Sequence, residues 1–422
     1  MSFIKSIVFV IVTVFNISAQ NEQLKFEIEK ILSKLPSTTR AGILIYDPIT
    51  RDTLYGKNCL ESMIPASNTK LFTTAAALNY LGKEFNLSTK IFTDDDNLND
   101  GVINGNIYLK GFGNPLFSED DLIKSILRLK EIGITEITGN VIGDDSYFDD
   151  IYSRTDWIPD EVANVTLPPV SALVYENNKT VVARKYKRRT WNYIVNIDNP
   201  PVFISKVFRD RLLNHEINVK GSSNSGITPD DVTLLYESKV PLIELIKFIN
   251  KNSDNFFAEC LFKTIGAESS GLQGNSFYAQ QAVLTYIRDN GIYSEGTSLV
   301  DGSGISRFDQ VTVAALVGVL ENMYFDLANF DDFFNSLSIA GVDGTLKGRM
   351  IGTKIQGNFR GKTGTLNGVS SLSGYLTTSE GNDLIISMIF EFSHGRASLH
   401  KRVQDEILLL LSDWQSDLSL RK

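Results

Sequence analysis

The sequence predicts an α/β domain split by an inserted, mostly β lobe. Three observations predict it. Helical patterning marks a stretch near residue 70 and resumes after about residue 235. From about Thr89 to that point the texture changes to short alternating runs and turns. Near the end, a hairpin-like segment precedes a helix with a strong apolar face.

The elements follow in order. "NEQLKFEIEKILSKL" has helical periodicity, and "RAGILIYDPITRDTLYGKN" reads as two strands around an Asp47-Pro48 turn. "PASNTKLFTTAAALNYLG" predicts a helix with Leu71, Ala75 and Leu78 on one face and Gly82 as its stop. The lobe opens with "TKIFTDDDNLNDGVINGNIYLKGFGNP", a set of short strands and turns. A helix over "SEDDLIKSILRLKEIG" comes next, and strand-like and loop segments then run to about 235. In "PLIELIKFINKNSDNFFAECLFKTIG", Pro241 suits a first helical turn, and Leu242, Leu245, Ile246 and Ile249 form one stripe. Further helices are expected over about 275–290 and 310–322. "SSLSGYLTTSEGNDLIISMIFEFS" predicts a hairpin around Glu380-Gly381, and the helix in "RASLHKRVQDEILLLLSDW" is expected to pack on it. The resulting division is a main domain over 20–88 and 235–422, with an inserted lobe over 89–234.

With 422 residues, 42% hydrophobic and 22% charged, the composition is that of a globular chain of two or three domains. A formal net charge of −9 argues against nucleic-acid binding. No long basic run is read as marking an anionic membrane surface. Lys5, the apolar stretch from Ile7 to Phe15 and Ala19 read as a secretory signal over 1–19. The expected mature protein is therefore soluble and extracytoplasmic, with no stable membrane span. Cys59 and Cys260 permit one bridge, with two free thiols as the default.

Three short motifs carry the chemistry. Ser67 stands three residues before Lys70 at a predicted helix start. This S-x-x-K pattern is cheap, since "SFIK", "SLHK" and "SLRK" occur elsewhere in the chain. The other two motifs are Ser253-Asp254-Asn255, in a break between helical segments, and Lys362-Thr363-Gly364, before the last hairpin. Each alone suits a turn, a cap or a strand end. In this order they form the signature set of penicillin-binding proteins and serine β-lactamases.

The physics fits. A serine needs an adjacent base, and residues i and i+3 share a helix face, so Lys70 can serve Ser67. A lysine desolvated beside a second cation, here Lys362, loses proton affinity. Ser253 can relay a proton to a leaving amine, and Asn255 can hold Lys70 or a substrate amide. The Ser67 N–H at a helix N-terminus, with the Thr365 N–H, would form an oxyanion hole. Three histidines, His215, His394 and His400, and no G-x-S-x-G elbow make a serine triad improbable. Neither H-E-x-x-H nor C-x-x-C is present, and "DDDNLND" lacks the glycine and glutamate of an EF-hand loop. No metal or other cofactor is expected.

Beyond the three motifs, "GNIYLKGFGNP", "GNVIGDDSYFD", "LVDGSGISRFDQVT" and "GVDGTLKGRM" extend the likeness along nearly the whole mature chain. The sequence resembles the DacB-like D-alanyl-D-alanine carboxypeptidases/endopeptidases, the class C low-molecular-mass penicillin-binding proteins. The long gap between Lys70 and Ser253 suits that group better than a compact class A β-lactamase. The resemblance implies an antiparallel sheet flanked by helices. It also implies a periplasmic enzyme that acts on peptidoglycan stem peptides and is acylated by β-lactams. It places Thr363, Gly364 and Thr365 against substrate and adds Arg307 and Asn367 to the cleft. Asp144 and Phe148 would reach in from the lobe. One departure is Asn114-Pro115, where relatives commonly carry Asp-Pro. A β-lactamase, or a wall-binding protein that kept the fold, stays as an alternative.

Overall fold

A computed structural model describes residues 22–98, 100–157, 167–186 and 189–414; the expected signal segment lies outside them. The main sheet has six strands: β1 (Arg40–Asp47), β2 (Asp52–Lys57), β13 (Ser338–Ile339), β14 (Phe359–Leu366), β15 (Val369–Thr377) and β16 (Asp383–Glu391). Their order is β13-β14-β15-β16-β1-β2, antiparallel throughout. The predicted hairpins at Asp47-Pro48 and Glu380-Gly381 are β1–β2 and β15–β16.

This sheet is covered on both faces, so its strands alternate between two apolar environments. Ile385 and Ile389 join one core, while Leu384, Ile386, Met388 and Phe390 join the other. Helix α1 (residues 22–32) and α10 (Ala397–Leu411) pack on the second face through Ile28, Val403 and Ile407. On the first face lie α2 (Thr69–Leu81), α5 (Leu242–Asn252), α6 (Asn255–Ser270), α7 (Ser276–Asp289), α8 (Val313–Phe325) and α9 (Phe330–Ser336). Helix α2 is buried from Thr69 to Leu78 and ends at Gly82, whose φ of 75° suits glycine. It is therefore a central helix rather than a surface one.

The insertion starts and ends on the paired strands β3 (Asn86–Thr93) and β12 (Thr233–Pro241), so its sheet reaches somewhat beyond 89–234. With β5 (Ile107–Phe112), β7 (Val141–Asp144) and β11 (Ser223–Ser225) these give the order β11-β7-β5-β3-β12. Strands β4 (Val102–Ile103), β6 (Glu136–Ile137) and β10 (Asn218–Val219) form a small parallel sheet. Helix α3 (Glu119–Glu131) is where the sequence predicts it, with a capping box between Ser118 and Asp121.

Two expectations for the lobe are corrected. Residues 200–214 form a helix, α4 (Pro200–Asn214), rather than strand and loop. Pro200 and Pro201 occupy its first turn behind the Asn199 cap, and Ile204, Phe208 and Leu212 form its buried stripe. Residues 184–189, "RKYKRR", are a basic run after all. They belong to a ribbon of β8 (Lys179–Tyr186) and β9 (Arg189–Asn196) that joins neither lobe sheet.

Candidate active site

The site is built where the start of α2, the α5–α6 break and strand β14 meet. A 3₁₀ turn, Ala66–Asn68, precedes α2 and presents Ser67. Ala66 is buried with φ 49°, a conformation that costs energy for a residue with a Cβ. Surrounding contacts hold it there. Ser371 Oγ donates to the Pro65 carbonyl at 2.6 Å, and Asn68 Nδ2 donates to Ser373 Oγ at 3.2 Å.

Lys70 lies one turn into α2 and is fully buried. Its Nζ is 3.2 Å from Ser67 Oγ, 2.6 Å from Asn255 Oδ1 and 2.5 Å from the Ser303 carbonyl. Burial lowers its pKa to about 8, against the raising influence of Asp301, Glu259, Asp254 and Asp309. The sequence reading gave this effect to a second cation; burial is the first cause.

The amine's geometry decides its role. A neutral amine has two N–H groups and one lone pair. The Ser303 carbonyl only accepts, and so does Asn255 Oδ1. With both N–H groups spent on them, the lone pair of neutral Lys70 faces the Ser67 hydroxyl.

Ser253 sits between α5 and α6 at φ 57°, a left-handed position that stops α5. Asp254 caps α6 by accepting from Phe257 N at 2.8 Å, and Asn255 opens that helix. The break therefore turns Ser253 toward β14, where Lys362 Nζ donates to its hydroxyl at 2.8 Å. Lys362 is fully buried and also donates to the Thr363 carbonyl at 2.8 Å. Burial first, and the nearby Lys70 second, push its pKa well below the usual lysine range.

Strand β13 pairs with β14 only at Arg360 and Gly361, so no strand covers that edge from Lys362 to Leu366. The edge runs beside the Ser67 turn. A Cβ on Gly364 would stand 2.8 Å from the Pro65 carbonyl and 3.0 Å from Ala66 Cβ. Thr363 and Thr365 are half-buried on this strand, and Thr363 Oγ1 donates to Thr345 Oγ1 at 2.8 Å.

Arg307 and Asn367 are brought to each other: Arg307 Nη2 donates to the Asn367 carbonyl at 2.7 Å. Both line a shallow groove of about 350 Å³ at the β14–β15 turn, with Arg40, Ile64 and Glu391.

Asp144 and Phe148 do not open onto the cleft here. Asp144 is fully buried at the end of β7, accepting from Ser146 N at 2.9 Å and Thr228 N at 2.7 Å, with Lys110 Nζ at 3.3 Å. Burial opposes its charge, but those hydrogen bonds outweigh it and hold the carboxyl below the usual range. Phe148 is buried where the lobe meets α6 and α7, with Lys263 Nζ 5.8 Å from its ring centroid and a backbone bridge to Gly274. The other departure, Asn114, accepts from Leu116 N at 3.0 Å and so shapes the local turn.

Sequence reasoning missed the acidic floor beneath Lys70. Asp301 collects four donors: Ser303 N at 3.1 Å, Gly304 N at 2.6 Å, Ser306 N at 2.9 Å and Trp157 Nε1 at 3.0 Å. This folds the 301–306 loop so that the Ser303 carbonyl meets Lys70, and Trp157 brings the lobe into the arrangement. A Cβ on Gly304, at φ 79°, would stand 2.0 Å from the Ala66 carbonyl. Glu259 accepts from Gly302 N at 3.0 Å, and burial pushes its pKa up to about 8. Asp309 accepts from Thr69 Oγ1 at 2.9 Å; burial, then Asp301, raise it well above the carboxylate range. The signal lay in "DGSGISRFD", where an aspartate before Gly and Ser suits a turn that gathers N–H groups.

Among the described residues, no cluster of His, Cys, Asp and Glu is arranged to hold a metal. Both cysteines are free.

Comparison with known proteins agrees with this geometry. The chain is 28% identical over 467 residues to a D-alanyl-D-alanine carboxypeptidase of Actinomadura sp. (strain R39), covering 94% of this chain and 86% of the relative. It is 24% identical to the D-alanyl-D-alanine carboxypeptidase DacB of Haemophilus influenzae, over 93% of this chain and 92% of that one. The crystal structure of penicillin binding protein 4 (dacB) from Haemophilus influenzae superimposes with a TM-score of 0.81 at 22% identity, covering 92% of this chain and 99% of that one. A second structure of that protein, in complex with a β-lactam, superimposes with a TM-score of 0.75 at 21% identity, covering the same shares of each chain. Residues 24–189 and 179–412 match one family, and the chain belongs to it: the D-Ala-D-Ala carboxypeptidase 3 (S13) family.

Proposed function

We propose that the D-Ala-D-Ala carboxypeptidase activity of this family is carried here by Ser67 as nucleophile and Lys70 as its base. The observation that carries this reading is the threefold coordination of Lys70 Nζ by Ser67 Oγ, Asn255 Oδ1 and the Ser303 carbonyl. Ser67 Oγ bonds to the carbonyl carbon of the penultimate D-alanine while its proton passes to Lys70. The C–N bond breaks, and Ser253, held by Lys362, delivers a proton to the departing amine. Water then adds to the acyl carbon and releases the shortened peptide and free Ser67.

The substrate backbone lies along the uncovered edge of β14, as an added strand beside Thr363 and Thr365. The Ser67 and Thr365 N–H groups stabilise the oxyanion. The substrate is a peptidoglycan stem peptide, and the leaving group is either D-alanine or the amine of a cross-linked neighbour. β-Lactams acylate the same serine. The site of action is extracytoplasmic, after removal of residues 1–19.

An N-acetylated peptide ending in D-Ala-D-Ala tests this reading. Wild type releases D-alanine and Ser67→Ala does not. Release by Ser67→Ala at the wild-type rate would refute it.

A further inference from the structure

We propose that the β8–β9 ribbon is a docking surface for the anionic lipid surface of a membrane. Residues 177–197 carry six basic side chains and no acidic one, in a chain whose net charge is −9. Lys179, Arg184, Lys185 and Arg189 are on the described strands; Lys187 and Arg188 lie outside the described residues.

The strands pair only with each other. Cross-strand partners share a face, and the register puts Val182 opposite Tyr193 and Arg184 opposite Trp191. One face is therefore aromatic and basic, and Arg184 stands 5.8 Å from the Tyr193 ring centroid. The other face pairs Val181 with Ile194.

These side chains are uncovered: Ile194 is 75% exposed, Val181 61%, Trp191 51% and Tyr193 48%. A two-stranded ribbon that leaves its apolar groups in water is marginal alone. Here its base is tied down by Ile197 N donating to the Asn178 carbonyl at 2.9 Å, and by Asn196 Nδ2 donating to the Leu167 carbonyl at 3.1 Å.

The mixture selects the partner. Lysine and arginine seek anionic headgroups, while tryptophan and tyrosine settle at the headgroup level. Exposed valine and isoleucine favour shallow insertion between acyl chains over stacking on sugars. No helix among the described residues is long and apolar enough to cross a membrane, so attachment through the ribbon would be peripheral and reversible.

The test uses residues 20–422, which hold every described element, and sedimentation with vesicles of phosphatidylglycerol and phosphatidylcholine. Binding is expected to these vesicles, to weaken with salt, and to vanish with phosphatidylcholine alone. Each basic residue near the surface contributes about fivefold, so Arg184→Gln with Lys185→Gln and Arg189→Gln weakens binding on the order of 100-fold. Trp191→Phe removes quenching by brominated lipid. Unchanged acylation by benzylpenicillin reports that these variants are folded. Three outcomes would overturn the proposal: equal binding by the triple variant, retention only by isolated peptidoglycan, or loss of a dimer in place of vesicle binding.

Discussion

Lys362 Nζ donates to Ser253 Oγ at 2.8 Å, joining two motifs that stand 109 residues apart in sequence. The second buried amine, Lys70, makes the parallel contact to Asn255, two residues beyond Ser253. The α5–α6 break thus holds both lysines. Each has a distinct task, the one as base for Ser67 and the other as partner of the proton-relaying serine. That division leads to separate predictions.

Ser67→Ala should abolish acylation by benzylpenicillin, and Lys70→Ala should slow it by about 10³-fold or more. Lys362→Ala should slow it too, by about 10²-fold, because Ser253 loses its donor. Stopped-flow acylation rates check all three.

The pH dependence follows from Lys70. The base must be neutral, and its pKa is lowered to about 8. Acylation should rise with pH to a midpoint near 8 and fall about tenfold per unit well below it. Glu259 titrates in the same window, so the observed midpoint belongs to the pair. A pH-independent rate between 6 and 9 would contradict the assignment of Lys70 as base.

Glu259 also predicts a stability effect. Its folded pKa, about 8, exceeds the ordinary glutamate value. Between the two the folded state binds more protons, so this group's contribution is full at low pH and is lost as pH rises through about 8. The largest slope one such group can give is about 1.4 kcal/mol per pH unit. Glu259→Gln keeps an acceptor for Gly302 N and should flatten the slope between pH 5 and 8 in urea unfolding.

Trp157→Phe removes one donor from Asp301 while keeping a ring. A hydrogen bond to a buried charged group is worth about 1.5–3 kcal/mol, so thermal unfolding should show a loss of that size. Acylation should slow as well, because Asp301 sets the loop that carries the Ser303 carbonyl. Loss of stability with an unchanged rate would separate the lobe from the site.

Gly364→Ala should impair the site through sterics alone. The new Cβ would stand 2.1 Å from Ser371 Oγ and push β14 away from the Ser67 turn. The expected cost is about 1–3 kcal/mol in stability with at least about a tenfold loss in acylation.

The catalytic motifs were legible because each is a local pattern whose chemistry is fixed by residue type. Ser67 and Lys70 share a helix, and Ser253 with Asn255, and Lys362, are short words in order. The hairpins and amphipathic helices were legible by periodicity. Helix α4 was not, because Pro200 and Pro201 read as loop when the following stripe is ignored. Asp144 and Phe148 were read as cleft residues from resemblance, yet burial and hydrogen bonding commit both to packing. Asp301 and Glu259 were missed because their role is set by where Lys70 lies, a long-range relation. The basic ribbon was missed because a net charge of −9 averages over a local run of the opposite sign.

The most direct test of the central claim is the intact mass of the protein after incubation with benzylpenicillin, wild type beside Ser67→Ala. The account predicts a stable gain of one penicilloyl group on wild type alone, mapped to the Ser67 peptide. An adduct of equal yield on Ser67→Ala would contradict it, as would no adduct on wild type with the penicillin left intact.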